Sequence, residues 1–211
     1  MSWEGPPAPY RIETGRLVIR CYDPSDAPLL KDAIDSSLEH LRAWMPWAHD
    51  EPQSLDEKVA LLRHFRGEFD LEQNFVYGVF DRDESRVVGG SGLHPRGGDG
   101  SLEIGYWIRA DSVGQGLATE LTAVLTRVGF ELVGLERVDI QVDPANEVSQ
   151  KIPRKLGFTL EGRLRRRLPP KDEGGQRRDA LLFTMVREEL AGSSCTAYDY
   201  VAFDALSRQL G

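Results

Sequence analysis

Leucine, valine and isoleucine are flanked by arginines over residues 16–22, Arg-Leu-Val-Ile-Arg-Cys-Tyr, and the β-branched content predicts a first strand. The period then changes. Asp23-Pro24-Ser25-Asp26 supplies a cap, and Leu29, Leu30 and Ile34 follow at helical spacing. A second short helical piece is expected over residues 38–47, stopped by Pro46. Ser54 with Glu57 three residues later is a capping box, and the helix behind it turns Val59, Leu62, Phe65 and Phe69 to the core. Strands are expected over 74–80, 86–93 and 102–108, joined by a polar turn at 81–85 and a glycine-rich turn at 95–100, as an antiparallel meander. The stripe Leu117, Leu121, Val124, Leu125, Val128 and Leu132 predicts the main helix over about 115–133. A strand at 138–142, a helix at 147–156, and strands at 158–165 and 180–186 around a polar loop at 169–177 complete the pattern.

Residues 1–13 hold three prolines and read as an irregular arm. Residues 14–190 form one α/β domain, and 191–211, with Val201, Leu206 and Leu210 but no start or stop signal, a C-terminal extension. This order predicts a mixed, mostly antiparallel central sheet flanked by helices.

Composition changes little in this picture. The chain has 211 residues, 40% hydrophobic and 28% charged, the balance of a soluble globular domain. It contains no apolar run of about 20 residues and no leader-like start, so a cytoplasmic location and no membrane partner are expected. Cys21 and Cys195 form neither a metal-ligand spacing nor a disulfide framework, so no metal is expected, and Cys21 reads as a buried strand residue. The net charge of −8 argues against a nucleic-acid partner and mildly favours a cationic one, although solubility accounts for most of the carboxylates. Arg163-Leu164-Arg165-Arg166-Arg167 reads as the solvated face of a strand, with phosphate contact as the alternative.

The candidate chemistry starts at Gly105–Glu120. A strand ending at Ile108 and Arg109 runs into a turn with two glycines, and a helix starts inside it. Free N–H groups of Gly114, Gln115, Gly116, Leu117, Ala118 and Thr119, with the helix dipole, make a cradle for a phosphate or pyrophosphate. No Gly-Lys-Ser or Gly-Lys-Thr follows, and Gly114-x-Gly116-x-Ala118 is not a dinucleotide fingerprint. The spacing resembles the Gln/Arg-x-x-Gly-x-Gly/Ala loop of the GNAT acetyltransferases, with Val113 where Gln or Arg is usual. About thirty residues later, Asn146-x-x-Ser149 followed by Leu156-Gly157-Phe158 resembles a second signature of that superfamily, and Glu103-Ile104-Gly105-Tyr106-Trp107-Ile108 points to its RimJ/RimL-type branch.

The resemblance implies the GNAT fold, in which two neighbouring parallel strands, here at 102–108 and 138–142, splay apart to admit a thioester. It implies acetyl-CoA as cosubstrate and an amine acceptor, either a peptide N-terminus or a small molecule. A non-catalytic acyl-CoA-binding module and a larger acyl group are the alternatives, and a homodimer is the candidate assembly. Glu103 is the candidate general base, acting through a water, or else a surface carboxylate. His94 is the second candidate beside the acceptor, or else an exposed turn residue. Asn146 is expected to cap a helix and contact the pantetheine arm. Ser149 is the candidate donor to the leaving thiolate, because no tyrosine occurs between residues 107 and 197 to take that role. Trp44 and Trp47, flanking Met45-Pro46, are expected as an aromatic wall for the acceptor or as sheet packing. Pro153 removes the partner of the Ser149 carbonyl, so a kink, an early end or a later start of this helix is expected.

Overall fold

The computed structural model describes residue 3, residues 5–171 and residues 174–211. Met1, Ser2 and Glu4 of the expected arm, and Asp172 and Glu173 of the expected polar loop, lie outside the described residues.

A ten-stranded sheet organises the chain. In chain order the strands are β1 (Arg11–Glu13), β2 (Val18–Cys21), β3 (Phe75–Phe80), β4 (Val87–His94), β5 (Ser101–Ile108), β6 (Arg137–Val142), β7 (Thr159–Leu168), β8 (Arg178–Val186), β9 (Val201–Phe203) and β10 (Gln209–Leu210). Their spatial order is β10-β9-β1-β2-β3-β4-β5-β6-β8-β7, and among the described residues β5 with β6 is the one parallel pair. The helices are α1 (Ala27–Asp35), α2 (Leu38–Arg42), α3 (Leu55–Asp70), α4 (Leu117–Glu131) and α5 (Glu147–Leu156).

Strand alternation sorts the core into two layers. Ile19, Val138, Ile140 and Val142 face α4 and join Leu121, Val124, Leu125 and Val128. Val18, Phe80 and Val87 face the other side and join Leu30 and Ile34 of α1 and Leu62 of α3. Ser54 and Glu57 close their capping box at the start of α3. Cys21 is buried, with a free thiol.

Four expectations are corrected. Residues 11–13 are a strand rather than part of an irregular arm, because Ile12 points inward and the segment pairs with β2 on one side and β9 on the other. The 191–211 segment carries two strands of this sheet, and its Cys195 is buried in the core with α4. Pro46 begins a 3-10 turn, Pro46–Asp50, rather than stopping a helix, since proline suits a first helical position. Helix α5 starts at Glu147 and runs through Pro153 to Leu156. Gly157 then turns left-handed at φ 95°, and the Phe158 N–H donates to the Pro153 carbonyl at 3.0 Å, a closure that satisfies a late carbonyl.

Candidate functional site

The parallel pair is short. Ser101, Leu102 and Glu103 align with Arg137, Val138 and Asp139, and no pairing follows. Beyond that point β5 continues to Ile108 and β6 to Val142, so the strands part and each offers an unpaired inner edge. One end of the opening leads to the turn before α4. The other enters a cavity of about 780 Å3, within the range that holds a small ligand.

The turn is a donor array. Gly114 and Gly116 sit at φ 77° and 79°, and Gly116 is the N-cap of α4. Among the described residues, the N–H groups of residues 113–119 have no hydrogen-bond partner. Ile108 ends β5 beside this turn. Arg109, expected to contribute, is turned away: its guanidinium meets Asp32 of α1 at 2.6 Å and Asp111 at 3.2 Å, and its N–H donates to the Val88 carbonyl. A residue that the sequence pattern missed takes its place. Arg16, from the turn between β1 and β2, donates to Glu120 at 2.7 Å and to the Gln115 carbonyl at 2.8 Å. Arg16 thereby holds that carbonyl aside and balances the buried carboxylate in the first turn of α4.

Trp44, Met45, Pro46, Trp47 and Trp107 line the cavity on the α1–α3 side of the sheet. Trp47 meets Trp107 edge-to-face at 6.0 Å, and the Trp107 indole fits because Gly90 has no Cβ to obstruct it. Lys171, from the loop after β7, lies 4.3 Å from the Trp44 ring centroid.

His94 is a cavity residue, not an exposed turn residue. Its Nδ1 lies 2.6 Å from Asn74 Oδ1, which assigns the proton to Nδ1 and leaves the Nε2 lone pair free over Gly105. Burial and the nearby Arg96 hold its pKa down to about 3, so the ring is neutral. Glu103, the residue opposite His94 in the β4–β5 register, does not line the cavity. It is 7% exposed, with one oxygen held by Arg96 at 3.2 Å and the other by Gln141 at 2.7 Å. Burial raises its pKa, opposed by the Arg96 charge and the hydrogen bonds from Arg96 and Gln141.

Helix α5 presents Asn146 and Ser149 to the opening. Asn146 Oδ1 accepts the Ser149 N–H at 3.0 Å and caps the helix, and its amide nitrogen makes no hydrogen bond among the described residues. Ser149 Oγ is 2.9 Å from the Tyr106 hydroxyl. The Ser149 carbonyl, which Pro153 leaves without its helical donor, lies 3.4 Å from the same hydroxyl. A tyrosine therefore stands beside Ser149 after all, contributed by β5 across the opening. Asn146→Ala is expected to remove the cap and about 1 kcal/mol of stability. Asn146→Asp keeps the acceptor and loses the free donor. Thermal unfolding should separate the two variants.

Known proteins share this fold. A family model described as an acetyltransferase (GNAT) domain matches residues 16–159. The chain is 27% identical over 157 residues to the [ribosomal protein uS5]-alanine N-acetyltransferase of Escherichia coli, covering 72% of this chain and 79% of that protein. The structure of Mycobacterium smegmatis RimJ in complex with CoA-disulfide superposes with a TM-score of 0.74 at 25% identity, covering 93% and 95% of the two chains. The ribosomal-protein-S5-alanine acetyltransferase of Vibrio fischeri shares the fold, with a TM-score of 0.71 at 21% identity over 85% of this chain and 98% of that one.

Proposed function

The chain belongs to the GNAT acetyltransferase family, and from that premise we propose that it uses acetyl-CoA to acetylate the terminal amine of a polypeptide by direct attack in a ternary complex. The observation that carries this reading is the parting of β5 and β6 after Glu103 and Asp139, which joins an anion cradle at one end to an aromatic cavity at the other. The unpaired amides of residues 113–119 suit a pyrophosphate, and the two strand edges suit a pantetheine arm. The named activity of the Escherichia coli relative supports a polypeptide acceptor.

An α-amine has an ordinary pKa of about 7.7–8.0, so a usable neutral fraction exists near pH 7. The amine nitrogen bonds to the thioester carbon, and the nitrogen proton becomes acidic as it does so. His94 Nε2, neutral and facing the opening, receives that proton. The N–H groups on the free edge of β5 meet the growing oxyanion. The carbon–sulfur bond then breaks, and the Ser149 hydroxyl donates to the departing sulfur. Glu103 holds Arg96 and Gln141 at the cavity wall.

Thiol release and the mass gain of one acetyl group, followed with acetyl-CoA against a panel of peptides and small amines, test the function. Absence of any amine-dependent thiol release overturns it. His94→Gln is expected to lower kcat by about tenfold, the modest loss fitting a weak base. Glu103→Gln is expected to lower it less. The pH profile separates the roles. A base with the raised pKa of Glu103 adds an acidic limb, because activity falls as pH drops through that value. His94, neutral down to about 3, adds none in the working range. A larger loss in Glu103→Gln, with its acidic limb removed, assigns the proton to Glu103 through a water.

A further inference from the structure

The uncovered sheet face beside the reaction cavity holds a second cleft, of about 410 Å3. Arg96, Arg137, Arg165, Arg167, Gln141 and Leu182 line it. Arg96 and Gln141 line both spaces, so the two are neighbours.

The charge of this cleft opposes that of the chain. Asp139 also lines it and Glu103 holds two of its lining side chains, and each carboxylate is already matched. Glu103 takes Arg96 at 3.2 Å, and Asp139 takes Arg137 at 3.0 Å while accepting from Ser101 and Thr184. Arg165 and Arg167 are exposed and form no ion pair among the described residues. Among the described residues the cleft therefore carries an excess of two positive charges, in a protein of net charge −8.

The segment that carries these two arginines is built rather than frayed. Strand β7 bulges between Leu164 and Leu168, with Arg166 left-handed at φ 53°. The Arg166 N–H donates to Asp179 at 2.8 Å. Arg177 donates to the carbonyls of Arg166 and Arg167 at 2.9 and 2.8 Å. The bulge is thus held by the start of β8, and Arg165 and Arg167 stay over the cleft.

We propose that this arginine cleft receives acidic side chains of the acceptor polypeptide, a few residues beyond the amine that is acetylated. The inference rests on the polypeptide-acceptor reading above. With the terminal amine at the strand opening, an extended acceptor advances about 3.3 Å per residue and runs out past Arg96 over the cleft. Unpaired arginines there favour carboxylates by charge complementarity and repel lysines. The acidic charge of the whole chain points to a cationic partner, but the local field at the exit from the site decides, and it has the opposite sign.

The test compares three peptides with one N-terminal residue, carrying Asp and Glu, Asn and Gln, or Lys at positions beyond it. The wild-type enzyme is expected to favour the acidic peptide over the neutral one by about tenfold in kcat/KM, with the ratio shrinking as salt screens exposed charge. Arg165→Glu with Arg167→Glu is expected to turn the order towards the lysine peptide, and Arg165→Gln with Arg167→Gln to flatten it. Calorimetry with coenzyme A checks that both variants remain folded. Equal acetylation of all three peptides by the wild-type enzyme overturns the cleft proposal and leaves the function standing, as does an acidic preference that survives both double variants. Acetylation of none overturns both.

Discussion

Gly116→Asp is expected to weaken coenzyme binding by about a thousandfold or more, the largest loss from any single change in this chain. Two effects act together. Gly116 sits at φ 79°, where a side chain costs roughly 1–2 kcal/mol, and that cost falls on folding as much as on binding. The second effect falls on binding alone. A carboxylate added here stands among the amides of residues 113–119, which would otherwise face the pyrophosphate. At about 4 Å and an effective dielectric of about 20, one such pair of like charges costs about 4 kcal/mol, close to three decades in affinity. Arg16, whose Nη2 lies 3.8 Å from where a Cβ at this position would stand, offsets part of this, although Glu120 and the Gln115 carbonyl share its guanidinium. Gly116→Asn separates the terms: asparagine tolerates the left-handed backbone and carries no charge, so it should lose only about tenfold. Calorimetric titration with coenzyme A reads both values. Binding by Gly116→Asp within about tenfold of the parent protein overturns the cradle.

The parts of this design that were legible in the sequence are local. The capping box at Ser54 and Glu57, the apolar stripe of α4 and the glycine turn each lie within a few residues of one another. The parting of the parallel strands follows from the family resemblance, and the register gives its position at Glu103 and Asp139. What escaped depends on contacts between distant segments. Arg16 and Glu120 lie far apart in the chain, and only the packing of the β1–β2 turn against α4 brings them together. Strands β1 and β9 are three residues each and support one another through non-local pairing, so neither has a pattern long enough to read. Glu103 looked accessible on an alternating strand, but the covering groups come from the β4–β5 turn and from β6.

Ser149→Ala is expected to lower kcat by about a hundred- to a thousandfold while both substrates still bind, and Tyr106→Phe to lower it by about tenfold. The serine hydroxyl gains little beside a neutral thioester sulfur. Beside a developing thiolate it makes a charge-assisted hydrogen bond, so its benefit falls on the transition state. Tyr106 acts through that hydroxyl. Burial raises its pKa to about 12, so it remains a donor at any working pH. When it donates to Ser149 Oγ, across 2.9 Å, the serine proton is left free for the sulfur. When it turns instead to the Ser149 carbonyl, at 3.4 Å, the serine must donate back to the phenol. The 2.9 Å contact serves either arrangement, and Pro153 is what leaves the carbonyl open to the second. Removing the phenol oxygen lets the serine rotate but keeps the ring in its packing place. An acetyl thioester of a coenzyme analogue with a more acidic thiol distinguishes this role from a structural one. Its sulfur leaves with less help, so the losses in Ser149→Ala and Tyr106→Phe should both shrink. Losses that stay the same with that analogue, in single-turnover measurements where chemistry limits the rate, overturn the assignment and leave the departing sulfur to solvent.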